Sequence, residues 1–177
     1  MLISLIIDLI SRGYARMSIN NLILLNVLSF AEVSFFSFFY FSLGKNKKVP
    51  VLLGSVGFLY VIFEFINFED QSVALFQSYS KVVVAFLIVI MSMNYIITQI
   101  SKGKEIENRI LNLGILFFFS MEFILLLPLN YLINYYSEIV GYLWLFRVSV
   151  IIIFYLILIH FLWNNGEGDS QIHLQSG

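Results

Sequence analysis

Five long apolar runs, separated by short polar stretches, dominate the pattern of the chain. They extend from about Asn21 to Leu43, Val51 to Ile66, Val73 to Ile100, Ile110 to Ile133 and Ile139 to Trp163. A helix needs about 20 apolar residues to cross the hydrocarbon core of a bilayer. The runs are continuous and do not alternate as the strands of a membrane barrel do. The pattern therefore predicts an all-α, polytopic transmembrane helix bundle with about five spanning helices.

Two ends of this pattern are less regular. The polar stretch Gln77-Ser78-Tyr79-Ser80 leaves the start of the third span open, and a sixth apolar segment, Met1–Ile10, is too short to cross a bilayer. Basic residues follow this segment instead of preceding it, which argues against a signal peptide. We expect a short N-terminal helix packed against the bundle. The alternative is the remnant of a spanning helix whose start is missing from the chain.

Basic residues in the connections predict the orientation. One side of the predicted membrane carries Lys45, Lys47, Lys48, Lys102, Lys104 and Arg109, whereas the other has only Arg12 and Arg16 beside the acidic Glu69, Asp70 and Glu138. Short loops rich in Lys and Arg stay in the cytoplasm. We therefore expect the lysine-rich loops and the C-terminus to be cytoplasmic. Residues 1–163 form one transmembrane bundle in this interpretation, and the Gly-, Ser- and Gln-rich residues 164–177 form a flexible cytoplasmic tail.

Composition supports lipid as the solvent of this surface. The chain is 60% hydrophobic and 12% charged, whereas soluble domains are about half apolar and a quarter charged. The net charge of −1 predicts no nucleic-acid partner. Without cysteine, and with only His160 and His173, the chain predicts neither a metal site nor a cofactor. Abundant Ile, Phe and Asn suggest an AT-rich coding sequence and a bacterial plasma (inner) membrane.

Enzyme motifs are missing from the sequence. There is no His-Glu-x-x-His, no Gly-x-Ser-x-Gly and no glycine-rich phosphate loop. The three aspartates, Asp8, Asp70 and Asp169, lie outside the five apolar runs, so no pair of intramembrane aspartates exists. We expect that the protein is not an enzyme, and a lipid-modifying activity ranks last among the hypotheses.

Each predicted span contains one strongly ionisable residue. In chain order these are Glu32, Glu64, Lys81, Glu122 and Arg147, and Gln77 lies one helical turn before Lys81. A charge at membrane depth costs at least about 2.5–3.5 kcal/mol on insertion scales, so it usually faces the bundle and finds a partner. The alternating direction of the spans places all five charges at overlapping depths, in the outer half or centre of the bilayer. The sequence therefore predicts one polar cluster.

Two interpretations of this cluster remain open. Membrane bundles use polar residues to hold helices together, so the cluster could be a purely structural ion-pair network. The alternative is a site for a ligand or an ion. Glu64 lies so near the end of its span that it is expected to meet water. Trp144 precedes Arg147 by three residues and is expected to cover its guanidinium as a cation–π partner.

Some residues show a resemblance to known sequences. Asn20-Asn21 before a helix with Glu32, the run Phe35-Phe36-Ser37-Phe38-Phe39-Tyr40, and the closing Leu162-Trp163-Asn164-Asn165-Gly166 resemble a group of small, uncharacterised bacterial membrane proteins. The fuller members of that group have about seven helices. The resemblance implies a role in sensing or signalling beside a separate kinase, and a chain that lacks the first one or two helices. It implies no catalytic residue.

The first functional hypothesis is a membrane sensor or signalling module, or an accessory subunit, that acts through a membrane or cytoplasmic signalling partner. A small transporter or channel subunit that uses the charge cluster is the alternative, since intramembrane acids and bases relay protons or bind anions. A homo-oligomer would compensate for the small size. A purely structural or assembly role is the third hypothesis. In all three hypotheses, the lipid bilayer surrounds the helix bundle.

Overall fold

Five α-helices make up the described part of the protein. The computed structural model describes residues 22–43, 47–67, 79–103 and 108–175, and this part contains no strand. The helices are α1 (Leu22–Leu43), α2 (Lys48–Ile66), α3 (Tyr79–Ser101), α4 (Arg109–Tyr135) and α5 (Ser137–Gln175). All five are long and apolar enough to cross a membrane. The predicted all-α bundle of about five spans is confirmed, and the predicted N-terminal helix lies outside the described residues.

Helix bounds differ from the predicted ones in informative ways. α2 begins at Lys48, three residues earlier than predicted. Pro50 falls in its first turn, where a backbone N–H would have no partner within the helix, so proline loses no hydrogen bond there. The predicted start of the third span near Val73 lies outside the described residues. The last helix continues to Gln175 and does not end near Trp163, since an established helix gains one hydrogen bond for each added residue. The flexibility of residues 164–177 stays a prediction.

The helices pack in a definite order. α1, α2 and α3 contact one another, α4 packs against α3, and α5 packs against α4. In the described part of the chain, α5 makes close backbone contact with α4 alone. Short connections place the ends of the helices at Leu43, Lys48, Ser101 and Arg109 together, and we call this the lysine end. The opposite end is called the far end.

Glycines allow neighbouring helices to approach closely. A Cβ on Gly54 of α2 would lie 2.3 Å from Ser37 Oγ of α1, and one on Gly114 of α4 would lie 2.9 Å from Ile157 Cγ2 of α5. Small residues serve this purpose in membrane bundles, where helix association depends on close van der Waals packing instead of on water exclusion. These two glycines therefore set the α1–α2 and α4–α5 distances.

Large apolar side chains cover the outside of the bundle. The more exposed ones include Phe38, Leu59, Tyr142, Leu145 and Trp163, each at least 67% exposed. A soluble monomer rarely shows contiguous apolar patches of this kind. The surface therefore fits the lipid contact that the five spans require, and the chain is an integral membrane protein that crosses the membrane several times.

Candidate functional site

Lys81 lies at the centre of a buried polar cluster. It is the third residue of α3, it is 1% exposed, and its ammonium donates a hydrogen bond to Glu32 Oε1 of α1. α1 and α3 run in the same direction and pack together, which brings the two side chains to the same depth. The Glu32 side chain is 12% exposed. Its second oxygen, Oε2, has no hydrogen-bond partner within the described residues.

Glu122 and Arg147 form a second buried ion pair, between α4 and α5. Arg147 Nε donates to Glu122 Oε1 at 2.9 Å, and Nη2 donates to Oε2 at 3.3 Å. Such two-point contact between a guanidinium and a carboxylate fixes orientation as well as charge. The guanidinium also lies 5.1 Å from the centroid of the Trp144 ring, which confirms the expected cation–π contact.

Lys81 links the two ion pairs. Its Nζ lies 4.0 Å from Glu122 Oε2, so the four side chains alternate in sign in the order Glu32, Lys81, Glu122, Arg147. We call these four residues the charge cluster. It joins α1, α3, α4 and α5, and its formal charges sum to zero when all four groups are ionised.

Burial makes this pairing necessary. Lys81 and Glu122 are each 1% exposed and Arg147 is 6% exposed. Removing one partner from a buried ion pair costs about 3–5 kcal/mol, because the remaining charge is left uncompensated. The same principle warns that a buried pair contributes little net stability over well-packed apolar residues. The burial of the four charges therefore fits a role in matching the depth and register of the helices better than a role in adding stability.

Neutral polar side chains flank the cluster on the α1–α3 seam. Ser80 Oγ donates to Asn26 Oδ1 at 2.6 Å and lies 3.4 Å from Ser29 Oγ. Ser29 Oγ in turn donates to the carbonyl of Leu25 at 2.8 Å. Asn26, Ser29 and Ser80 are all at most 2% exposed. The polar group thus extends from Lys81 about one turn towards the far end.

Glu64 lies beside this seam and not in the charge cluster. The carboxylate is half-buried and lies next to the Ser80 hydroxyl and the backbone N–H groups of Tyr79 and Ser80, at the N-terminus of α3. A helix N-terminus favours a carboxylate. Within the described residues Glu64 forms no ion pair, and its place in a ligand or ion-pair cluster stays a prediction. Gln77 lies outside the described residues.

A second buried polar group lies nearer the lysine end, and the sequence analysis missed it. It consists of Tyr40, Ser92, Tyr95 and Asn112, each at most 5% exposed. Ser92 Oγ donates to the Asn112 carbonyl at 3.2 Å, and the Tyr40 and Tyr95 rings are 6.0 Å apart. Ser92 follows Lys81 by 11 residues, about three helical turns, which places both on one face of α3. That spacing is the signal that would have found it.

An apolar layer separates the two polar groups. Val33, Val84, Ala85, Ile88 and Phe119 lie between them, each at most 1% exposed. Side chains from α1, α3 and α4 therefore close the bundle between Lys81 and Ser92. In the described part of the chain no continuous polar path runs from the charge cluster to the lysine end. The described residues also contain no group of three His, Cys, Asp or Glu side chains that could hold a metal ion.

The fold and the five spans define the class of the protein as a multi-pass, all-helical membrane protein. The chain matches no family model, no curated protein and no solved structure.

Proposed function

We propose that this chain is a membrane sensor or signalling module, or an accessory subunit, that acts through a partner protein. The observation that carries the proposal is the position of α5. This helix makes close backbone contact with α4 alone among the described helices, and its buried charge, Arg147, is held by Glu122. A helix attached at one side through an ion pair is an element that can adopt two arrangements. A ligand biases such an element by binding one arrangement better than the other.

The charge cluster offers a route by which a ligand could act on α5. The Glu32 side chain is 12% exposed, and its Oε2, which is itself buried, accepts no hydrogen bond from the described residues, so this carboxylate has unused acceptor capacity. A ligand that donates a hydrogen bond to Glu32 competes with Lys81. Lys81 then interacts more strongly with the Glu122 carboxylate, which is also the ion-pair partner of Arg147. A coupling of about 1–3 kcal/mol between the two ends is typical of allosteric proteins.

The lysine end offers a route out of the membrane. α5 continues for 14 residues beyond Phe161, to Gln175, which is about 21 Å of helix at 1.5 Å per residue. With lysine-rich loops in the cytoplasm of a bacterial plasma membrane, the partner would meet this part of α5 or the connection between α3 and α4. Movement of α5 would then reach the partner directly.

A photo-crosslinking experiment tests the proposal. A photoreactive amino acid is placed at Lys102, which is exposed at the end of α3, and as a control at Phe38, which is exposed on the apolar surface of α1. Irradiation of cells should give an adduct with one protein at Lys102 and none at Phe38. Glu122→Gln should change the yield of that adduct, whereas Ser149→Ala, at an exposed position of α5, should leave it unchanged.

The outcomes separate the three functional hypotheses. No adduct at Lys102 or along residues 164–175 would count against action through a partner. An adduct whose yield does not change in the Glu122→Gln variant would favour a structural role for the charge cluster.

The transporter alternative is weakened by the apolar layer at Val84 and Ile88, since an ion would have to cross this layer without polar contacts.

A further inference from the structure

A groove opens on the outer surface between α1 and α2, away from the charge cluster. Its volume is about 500 Å³, within the range of small-molecule sites. Its lining combines small residues with aromatic rings: Ser34, Ser37, Phe38, Phe41, Gly54 and Ser55. Along α1 it extends from Val33 to Phe41, about 12 Å at 1.5 Å per residue. This length is close to half of a hydrocarbon core of about 30 Å.

Positive charge lies at the lysine end of this groove. Lys47 Nζ is 4.7 Å from the centroid of the Phe41 ring, and Phe41 itself lines the groove. Lys48 is the first residue of α2, and both lysines are exposed. An apolar slot of about one leaflet's depth therefore ends beside the Lys47 ammonium, and the exposed Lys48 is its neighbour in the chain.

We propose that this groove binds an anionic phospholipid, with one acyl chain between α1 and α2 and the phosphate beside Lys47 and Lys48. Basic pockets between transmembrane helices recognise anionic head groups in this way. The proposal does not depend on the sensing function, because no residue of the charge cluster lines the groove.

Charge distinguishes a lipid from a second transmembrane helix as the occupant. Small residues such as Gly54 and Ser55 can receive a helix, but Gly54 is already used, since a Cβ there would meet Ser37 Oγ at 2.3 Å. A helix would also have to cover Lys47 with an acidic group at the membrane surface. An anionic lipid supplies its negative charge at that depth without further requirements.

Native mass spectrometry of the purified full chain in detergent tests the proposal. The protein is titrated with dioleoyl phosphatidylglycerol and, separately, with dioleoyl phosphatidylcholine, which has the same acyl chains and no net charge. We expect one phosphatidylglycerol to bind more tightly than phosphatidylcholine. Each basic residue near a membrane surface strengthens anionic lipid binding by roughly fivefold. The double variant Lys47→Gln/Lys48→Gln should therefore lose roughly 20- to 30-fold in affinity for phosphatidylglycerol.

Two further variants keep the test specific. Lys102→Gln removes an exposed lysine at the same end but outside the groove, and it should leave the affinity unchanged. Ser55→Phe places a ring in the groove and should weaken both lipids, with far-UV circular dichroism used to confirm the fold. Equal affinity for the two lipids, or an equal loss in Lys102→Gln, would overturn the proposal. So would a dimer that Ser55→Phe dissociates, because the occupant would then be a second copy of the chain.

Discussion

Neutralising both members of the α4–α5 ion pair, Glu122 and Arg147, should cost no more stability than neutralising Glu122 alone. Glu122 lies 2.9 Å from Arg147 Nε and 4.0 Å from Lys81 Nζ. Glu122→Gln therefore leaves two buried cations with Glu32 as their remaining acid among the described residues. Arg147→Gln leaves Glu32 and Glu122 with Lys81 as their remaining base among the described residues. The double variant leaves Glu32 and Lys81 as an intact, neutral pair.

These differences set the expected free energies of unfolding. Breaking a buried pair costs about 3–5 kcal/mol, and Glu122→Gln should lose about 4 kcal/mol because it affects two cations. Arg147→Gln should lose about 3 kcal/mol, since Glu122 and Glu32 must then share Lys81. Additivity would give about 7 kcal/mol for the double variant. We expect about 4 kcal/mol, hence a coupling of about 3 kcal/mol.

The assay is equilibrium unfolding in mixed micelles, with increasing dodecyl sulfate and tryptophan fluorescence as the signal. Trp144 reports directly, because its ring lies 5.1 Å from the Arg147 guanidinium. Ser149→Ala, at an exposed position of α5, serves as the control and should stay within about 0.5 kcal/mol of the wild type. Single-variant losses that add within about 0.5 kcal/mol would refute the coupling between Glu122 and Arg147.

Two other predictions concern the packing and the apolar layer. Gly54→Ala should destabilise the protein by about 1–3 kcal/mol, since its Cβ would lie 2.3 Å from Ser37 Oγ, whereas Gly141→Ala, with nothing within 4 Å, should be neutral or slightly stabilising in thermal unfolding. A stable Gly54→Ala would contradict the close approach of α1 and α2. Proteoliposomes should show no proton or ion flux above empty liposomes, because Val84 and Ile88 close the bundle. A flux abolished by Glu122→Gln would contradict that closure.

The spans were predictable because hydrocarbon thickness fixes the length of an apolar run. The charges were predictable for a related reason. An ionisable residue at membrane depth stands out against apolar neighbours, and alternating span directions place the five charges at overlapping depths, where the structure pairs Lys81 with Glu32 and Arg147 with Glu122. Only partner choice was open, and Glu64 lies beside Ser80 instead of beside a cation.

Helix order was not predictable from the sequence. Lipid tails are as apolar as Leu or Ile, so an exposed side chain such as Leu145 and a buried one such as Val150 carry no different signal. The edge position of α5 therefore had no counterpart in the apolar pattern. Ser92 and Tyr95 were missed because a single neutral polar residue within a span predicts a buried partner less strongly than a charge does. Their spacing from Lys81 nevertheless places them on the same face of α3.

The most direct test asks whether the Glu122–Arg147 ion pair positions α5. Since the chain has no cysteine, Gly114→Cys/Ile157→Cys can report the α4–α5 distance by disulfide formation in membranes. A Cβ at position 114 lies 3.8 Å from Ile157 Cβ, within the range that a disulfide needs. The control pair Val33→Cys/Gly57→Cys has the same 3.8 Å spacing between α1 and α2.

Both cysteine pairs should cross-link readily in the otherwise unchanged protein. Adding Arg147→Gln should lower the yield of the α4–α5 disulfide and leave that of the α1–α2 disulfide unchanged. An α4–α5 yield that Arg147→Gln does not alter would show that packing alone holds α5, and the ion pair would lose the role assigned to it.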